Sequence, residues 1–166
     1  MNSQRPKIKL PKTKSEWIFD SIGYTTYIAS IVFLIGIWGR LPDKVPAHYN
    51  LAGEIDRWGS KWELLILPII GGLTLIFMQI LENYPEIHNY PSRLNEENAA
   101  QFYLISRKML NQLKNVCLLT FSALLFESVL IALKWWERSG IWFLPVIVIA
   151  AMLPLIVGVI RQRKIK

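Results

Sequence analysis

LPDKVPAHYNLAGEIDRWGSKW, residues 41–62, is a polar and varied segment between two long apolar stretches. It contains two prolines, a histidine, an asparagine and two tryptophans, together with acids and bases. Proline, asparagine and glycine favour defined turns rather than open chain. The segment therefore predicts a folded connector between two apolar helices.

Four stretches of the chain are long, apolar and almost free of charge. Each is about as long as a helix needs to cross ~30 Å of hydrocarbon at 1.5 Å per residue. A soluble core helix of this length keeps a polar face, which these stretches lack. We therefore expect an all-α membrane protein with four transmembrane helices, over residues 21–39, 62–81, 115–133 and 141–160.

The positions of the basic residues predict the orientation of the chain. Of its 19 lysines and arginines, thirteen lie near the termini and in the connector 83–114, and six lie near the other helix ends. The positive-inside rule then places both termini in the cytoplasm and residues 40–61 outside the plasma membrane. Basic tails of this kind bind anionic headgroups, so membrane lipids are expected partners and nucleic acid is not needed. The predicted organisation is a basic tail (1–12), one four-helix membrane domain (13–160) and a second basic tail (161–166).

Capping patterns predict where three of the helices begin. An S/T-x-x-E capping box starts at Thr13, before the first apolar stretch, and another starts at Ser60, before the second. Asn95 is the predicted N-cap of the third helix. Residues 96–136 contain neither glycine nor proline, which predicts one long, unbroken helix that begins in the cytoplasm and continues through the bilayer.

The connector also carries a long pattern of spaced residues: Leu41, Pro42, Val45, Pro46, His48, Tyr49, Asn50, Gly53, Asp56, Trp58, Ser60 and Lys61. This pattern resembles the signature of a small membrane domain of unknown function, L-P-x-x-[VI]-P-x-H-[FY]-N-x-x-G-x-x-D-x-[WFY]-x-S-K. That domain forms the N-terminal part of SdpI-type bacteriocin immunity proteins and occurs as a stand-alone protein in Gram-positive bacteria and some archaea. The resemblance covers about residues 25–80.

The resemblance implies a role in recognition. SdpI-type proteins neutralise a secreted killing peptide, and in a signalling role they hold a cytoplasmic repressor at the membrane. Their second motif, an Asn followed by Gly-x-Arg-Thr-x-Trp-Thr, does not occur in this sequence. An extracellular peptide and a cytoplasmic regulator are therefore the partners that the resemblance suggests, by extension from proteins with an additional half.

We interpret residues 40–61 as a lid over the helix bundle. Its candidate binding or structural residues are Pro46, His48, Asn50, Gly53, Asp56, Trp58, Ser60 and Lys61. His48 is predicted either to pin the lid by a hydrogen bond to Asp56 or to a backbone carbonyl, or to bind a ligand, a proton or a metal. A metal would need more ligands than these two, and His88 is predicted on the opposite side of the membrane, so we expect no metal.

Polar residues in the third helix raise two further questions. Glu127 lies inside the span, where an acid is a functional candidate by default. It is predicted to be protonated, paired with Lys134 further along the helix, or bonded to the connector. The residues Gln101, Tyr103, Arg107 and Lys114 are interpreted as a solvated surface facing lipid headgroups, which is also a plausible dock for a partner.

Three functional hypotheses remain open from the sequence. The favoured one is a binding or immunity-like protein that recognises an amphipathic peptide or lipid at the outer surface. The second is a transporter-like accessory that uses Glu127. Two acids within spans on facing helices would favour this hypothesis, and the sequence shows only one. The third is an enzyme at the membrane interface with His48 and Asp56. Enzyme and cofactor motifs do not occur in the sequence, so we expect neither catalysis nor a cofactor.

Overall fold

The computed structural model describes residues 5–137 and 140–165, and in that part of the chain the fold is mostly helical. The described elements are α1 (Lys14–Ile37), β1 (Lys44–Tyr49), β2 (Ile55–Ser60), α2 (Ile66–Asn83), α3 (Ala99–Ala132) and α4 (Phe143–Arg163). Three short 3-10 helices accompany them, at Trp38–Arg40, Lys61–Leu65 and Pro85–Ile87.

Each of the four α-helices lies in a segment that is long and apolar enough to cross a membrane. Their outward faces carry large apolar side chains, and Ile35, Leu73 and Ile149 are 70%, 63% and 65% exposed. A soluble monomer rarely exposes contiguous apolar surface on this scale, because contact with water is unfavourable for it. The fold therefore fits a multi-pass membrane protein.

Helix α3 is the centre of the bundle and packs against α1, α2 and α4. It runs without a break from Ala99 to Ala132, which confirms the predicted continuous helix. It starts later than predicted because Asn95 and Asn98 first form a turn, in which each side-chain oxygen accepts the backbone N–H of the other at 2.9–3.0 Å. It ends earlier than predicted because Lys134 adopts a φ of 61°, which is not helical. This end could not be predicted from a glycine, the residue that usually adopts a positive φ after a helix.

The predicted capping boxes are both present. In α1, the Thr13 N–H donates to Glu16 Oε2 at 2.7 Å. At Ser60 the box opens a 3-10 helix rather than α2 itself, which begins at Ile66. Pro68 explains the later start. In an α-helix beginning at Ser60, the N–H of residue 68 would donate to the carbonyl oxygen of Leu64, and proline has no N–H.

The connector folds as a β-hairpin, and this differs from the all-helical prediction. Strands β1 and β2 are antiparallel, with Lys44 opposite Ser60 and Pro46 opposite Trp58. The hairpin has a buried side, where Val45 is 0% exposed in an apolar cluster with residues of α1 and α3. Residues with β-branched or aromatic side chains on a half-buried face stabilise strands, which is why a turn-rich connector forms a sheet here.

Different segments cover the two ends of the bundle. One end, the hairpin end, carries residues 38–65. The tail end carries residues 83–98, the N-terminal segment 5–13 and the end of α4, and a second apolar cluster lies there, in which Ile165 packs with Phe102 and Tyr103. Helix α4 extends to Arg163, so residues 161–163, the first half of the predicted C-terminal tail 161–166, continue the helix.

Candidate functional site

The turn of the hairpin is held by Asn50. Its Oδ1 accepts hydrogen bonds from the backbone N–H groups of Ala52 and Glu54, each at 2.9 Å. Gly53 has a φ of 75°, and a Cβ at this position would lie 2.9 Å from the carbonyl oxygen of Gly140. Asparagine and glycine suit this geometry, and both residues therefore serve the shape of the connector.

His48 and Asp56 face each other across the two strands. His48 Nδ1 lies 2.6 Å from Asp56 Oδ1, so the predicted pinning bond is present. Both side chains are largely open, with exposed fractions of 64% and 43%. An exposed pair of this kind contributes about 0–1 kcal/mol to folding. The pair aligns the strands weakly and remains accessible from outside.

Glu63 ties the second strand to the start of α2. Its Oε1 accepts the Ser60 N–H at 3.1 Å, and its Oε2 accepts a hydrogen bond from Arg57 at 2.8 Å. Gly59 leaves room for this carboxylate, because a Cβ there would lie 2.1 Å from Glu63 Oε1. The capping box predicted Ser60 and Glu63, whereas the parts of Arg57 and Gly59 required the hairpin geometry.

The remaining motif residues divide between the core and the surface. Pro46 is buried, and the Trp58 side chain is 51% exposed. Lys61 donates its backbone N–H to the Asp43 carbonyl at 3.0 Å, and its ammonium lies 5.7 Å from the ring centre of Trp38. Trp58 is thus the large apolar side chain of the motif that faces outward.

A cavity of about 310 Å³ lies between the hairpin and the adjoining ends of α2 and α3. Its volume is at the lower end of the range for small-molecule sites. The apolar walls come from leucines and Ile66, and the polar edge from the hairpin and Glu63. The cavity is lined by Pro46, Ala47, His48, Tyr49, Arg57, Glu63, Leu64, Ile66, Leu67, Leu124 and Ser128.

Tyr49 connects the hairpin to α3 beside this cavity. Its hydroxyl lies 3.1 Å from Ser128 Oγ. Burial raises the pKa of Tyr49, so the hydroxyl stays protonated at neutral pH. Glu127 is 7% exposed and lies next to Ser128 in sequence. Lys134 was predicted to lie on the same helical face as Glu127. It does not, because α3 ends at Ala132.

At the tail end, the ammonium group of Lys114 is surrounded by oxygen atoms of α1 and α2. Its side chain is 0% exposed and lies 2.8 Å from Glu82 Oε1 and 3.0 Å from Asp20 Oδ1. It donates to Tyr24 Oη and Gln79 Oε1, each at 2.9 Å. An ammonium in a low-dielectric interior is tolerated only when partners replace its hydration in this way.

Two asparagines of α3 complete the surroundings of Asp20. The Nδ2 atoms of Asn111 and Asn115 donate to Asp20 Oδ1 at 2.8 and 2.9 Å. Asn111 Nδ2 also lies 3.4 Å from Glu82 Oε2, and Lys12 Nζ lies 2.5 Å from Asp20 Oδ2. The Oδ1 atoms of both asparagines are buried and have no hydrogen-bond partner among the described residues. Asp20 is thus held by more donors than Glu82.

A second buried ion pair lies next to Lys114 at the tail end. Arg107 donates two hydrogen bonds to the Glu16 carboxylate, from Nε at 2.8 Å and from Nη2 at 3.1 Å. The same guanidinium donates to the carbonyl oxygens of Leu10 and Pro11, at 2.5 and 2.8 Å. A bidentate arginine combines strength with fixed geometry. Arg107 therefore holds the N-terminal segment against the bundle.

The predicted solvated surface on the third helix is wrong for three of its four residues. Tyr103, Arg107 and Lys114 are 0%, 6% and 0% exposed, and of the four only Gln101 is exposed. The reason is the central position of α3, whose polar face at this end packs on α1, α2 and the N-terminal segment. A long helix beside a connector has the same sequence pattern whether it faces solvent or other helices.

Sequence reasoning also missed Asp20 and Glu82, because each lies just outside a predicted apolar span. One signal was available: polar residues recur at helical spacing on three helices near the same end. They are Glu16, Asp20 and Tyr24 on α1, Gln79 and Glu82 on α2, and Arg107, Asn111, Lys114 and Asn115 on α3. Such stripes at matching depth predict an interhelical polar network.

Comparison with known proteins identifies part of the chain. Residues 25–72 match the family model described as "Domain of unknown function (DUF1648)". An uncharacterized protein of the archaeon Archaeoglobus fulgidus is 38% identical over 63 residues, which cover 33% of this chain and 34% of that protein. The chain thus matches about a third of the length of that relative. No solved structure matches the chain.

The matched residues run from within α1, through the whole hairpin, into α2, and so contain every residue of the hairpin motif. This agrees with the range over which the sequence resembles the SdpI-type proteins. Residues 25–72 of this chain match the domain of unknown function DUF1648, and this match is consistent with the SdpI-type membrane domain.

Proposed function

We propose that this protein is a binding protein of the plasma membrane, whose hairpin recognises an amphipathic peptide or lipid at the outer surface. The observation that carries the proposal is the cavity beneath the hairpin, with apolar walls and a polar edge. An amphipathic ligand would place its apolar part against Leu67 and Leu124 and its polar part beside His48 and Arg57. The distribution of basic residues supports the outward orientation.

The resemblance to SdpI-type immunity proteins supports a more specific version, in which the ligand is a secreted killing peptide. Binding at the hairpin would keep the peptide out of the bilayer. This proposal assigns to the site neither a catalytic step nor a cofactor. A cytoplasmic regulator would have to meet the opposite end of the bundle, near residues 83–98.

The proposal is tested by filling the cavity. Leu124→Trp places a larger side chain into it from α3, and Leu119→Trp makes the same change on the same helix outside the cavity lining. Both proteins are reconstituted into nanodiscs with a phospholipid that carries a photoactivatable group in its acyl chain. A parallel sample receives an amphipathic helical peptide with the same group.

The wild type and Leu119→Trp are expected to be labelled around Ile66 and Leu67, and Leu124→Trp to lose that labelling. Mass spectrometry of the crosslinked peptides locates the labels. Labelling by the lipid alone would assign the site to lipid, and labelling by the peptide at equal lipid content would assign it to peptide. Equal labelling of the two tryptophan variants would contradict the proposal.

A transporter-like accessory is the second candidate, and a specific observation favours it. Asp20 and Glu82 are buried acids on facing helices, 3% and 2% exposed, on either side of Lys114. Buried acids of this kind in membrane proteins often lie on ion or proton pathways. A pH-sensitive dye inside proteoliposomes would report proton movement across the membrane. A change in its signal that is lost in Glu82→Gln would support this candidate over simple binding.

A further inference from the structure

We infer that Asp20 and Glu82 form a proton-binding site at the tail end, and that uptake of a proton there loosens the N-terminal segment, residues 5–13, which we call the strap. The inference goes beyond ligand binding at the hairpin and does not depend on it. It rests on the charge balance of the buried groups, on a cavity that reaches Glu82 and on the buried amide of Asn111.

The charge balance of the network depends on the strap. Lys114 lies between Asp20 and Glu82 and can neutralise one of them, while Lys12 contacts Asp20 from the strap at 2.5 Å. The Lys12 side chain is 27% exposed, whereas that of Lys114 is 0% exposed. Without Lys12, two buried carboxylates share one ammonium, and two such carboxylates in a low-dielectric site do not both stay ionised. A proton is then the natural replacement for Lys12.

Glu82 is the carboxyl that takes the proton. Asp20 accepts hydrogen bonds from Lys12, Asn111 and Asn115, at 2.5–2.9 Å, in addition to its contact with Lys114. Glu82 also contacts Lys114, at 2.8 Å, but its one further hydrogen bond is weak, since Oε2 accepts from Asn111 at 3.4 Å. Hydrogen bonds to the ionised form favour that form, so Asp20 keeps its charge better than Glu82.

A route for the proton exists from the tail end. A cavity of about 310 Å³ lies between the strap and the end of α2, and Glu82 is among its lining residues. The strap supplies one wall through Ile8, Leu10 and Lys12. Loosening of the strap therefore opens the same cavity that leads to the acid.

Asn111 provides a receptor for the new proton. Its Nδ2 lies within reach of both Asp20 and Glu82, while its Oδ1 is buried and has no hydrogen-bond partner in the described part of the chain. When Glu82 is ionised, an amide must present its nitrogen to the carboxylate. When Glu82 is protonated, its new O–H needs an acceptor, and a small turn of the amide brings Oδ1 toward it while Nδ2 still donates to Asp20.

The charged and titratable groups around this site come from the strap and three helices. The strap contributes Lys9 and Lys12, α1 contributes Glu16, Asp20 and Tyr24, α2 contributes Glu82, and α3 contributes Arg107 and Lys114. Glu16 and Arg107 neutralise each other at 2.8 Å. With Glu82 protonated, Asp20 faces two ammonium groups, so Lys12 is no longer needed and the strap is held less tightly. By linkage, release of the strap raises the proton affinity of the site in turn.

The test uses the full chain in nanodiscs and two readouts. Infrared difference spectra between high and low pH detect the C=O stretch of a buried carboxylic acid. A spin label on Lys7→Cys, in a Cys117→Ser background, reports the mobility of the strap. In the otherwise unaltered protein we expect the acid band and the mobile fraction of the label to rise together as the pH falls.

Three variants separate the outcomes. Glu82→Gln should lose the band and keep the strap mobile at every pH. Glu127→Gln, a matched change at the opposite end of α3, should leave band and label unchanged. Lys12→Met removes a cation from the part-exposed strap and is expected to fold, and the midpoint of the band should rise by about one pH unit, a tenfold gain in proton affinity.

Retention of the band in Glu82→Gln would overturn the proton site. A band that titrates while the label stays immobile would overturn the coupling to the strap. If Glu82→Gln does not fold, the Lys12→Met shift decides alone, because an unshifted midpoint contradicts the exchange of Lys12 for a proton.

Discussion

The hairpin end and the tail end both hold an acid–base pair at short distance, but at different depth. His48 Nδ1 lies 2.6 Å from Asp56 Oδ1, and the two side chains are 64% and 43% exposed. Lys114 Nζ lies 2.8 Å from Glu82 Oε1, and those side chains are 0% and 1% exposed. Distance alone would rank the two pairs as equals, whereas burial separates them.

The two ends therefore differ in how much stability the loss of one charged partner costs. An exposed pair is screened by water and contributes about 0–1 kcal/mol. Removal of one partner from a buried pair costs about 3–5 kcal/mol, because it leaves an uncompensated charge. The hairpin end is therefore suited to exchange partners with a ligand, and the tail end holds three helices and the strap together.

The largest expected effect concerns which end faces outward. A cysteine at Ala52, in a Cys117→Ser background, should be labelled by a membrane-impermeant thiol reagent on intact cells, and a cysteine at Glu96 should not. Both positions are exposed in the structure, so the two variants differ chiefly in the end of the bundle they report. Labelling at residue 96 and not at residue 52 would reverse the assignment of the hairpin end to the outside.

Loss of the buried ammonium should produce the largest change in stability. Lys114→Met leaves Asp20 and Glu82 buried without their shared cation, and we expect a loss of about 3–5 kcal/mol in the free energy of unfolding. Lys108→Met, on the same helix but partly exposed, is the control and should change it by less than about 0.5 kcal/mol. Denaturant titration of both variants in mixed micelles gives the comparison. Equal losses would show that burial does not set the value of the charge.

A smaller loss is expected where α1 approaches α3 closely. A Cβ on Gly23 would lie 2.2 Å from Asn115 Oδ1, whereas a Cβ on Gly36 of the same helix would meet nothing within 4 Å. Gly23→Ala should cost about 1–3 kcal/mol by overpacking the polar network. Gly36→Ala should be neutral or stabilise by up to about 1 kcal/mol, because alanine favours the helix. Thermal unfolding of the two variants measures the difference, and a destabilised Gly36→Ala would refute this reading of the packing.

The smallest effect on stability is expected at the hairpin end. His48→Ala breaks an exposed pair and should change the free energy of unfolding by less than about 1 kcal/mol. If His48 also takes part in recognition, the same change should abolish capture of the photoactivatable ligand at matched membrane levels. Crosslinking and denaturant titration of one preparation give both values. A loss near that of Lys114→Met would erase the contrast between the two ends.

Much of the fold could be predicted from patterns of residues close together in the sequence. The four apolar stretches predicted the four membrane-length helices, and the two capping boxes predicted bonds that the structure contains. The spacing of His48 and Asp56 predicted their hydrogen bond correctly. The sheet was missed because strand formation depends on Val45 and Pro46 finding a buried face, which is a property of neighbouring helices.

The number of helices, the unbroken course of α3 and the motif of the hairpin could all be predicted from the sequence alone, because each depends on hydropathy or on bonds between residues close along the chain. Which polar side chains are buried, in contrast, follows from the packing of the helices and could not be predicted from the sequence. Arg107 and Lys114 have the pattern of a solvated face, and they become interior charges because Glu16, Asp20 and Glu82 come from other helices to meet them. The contribution of a charged side chain to stability depends on its surroundings more than on its position in the chain. Those surroundings exist only once the helices have packed.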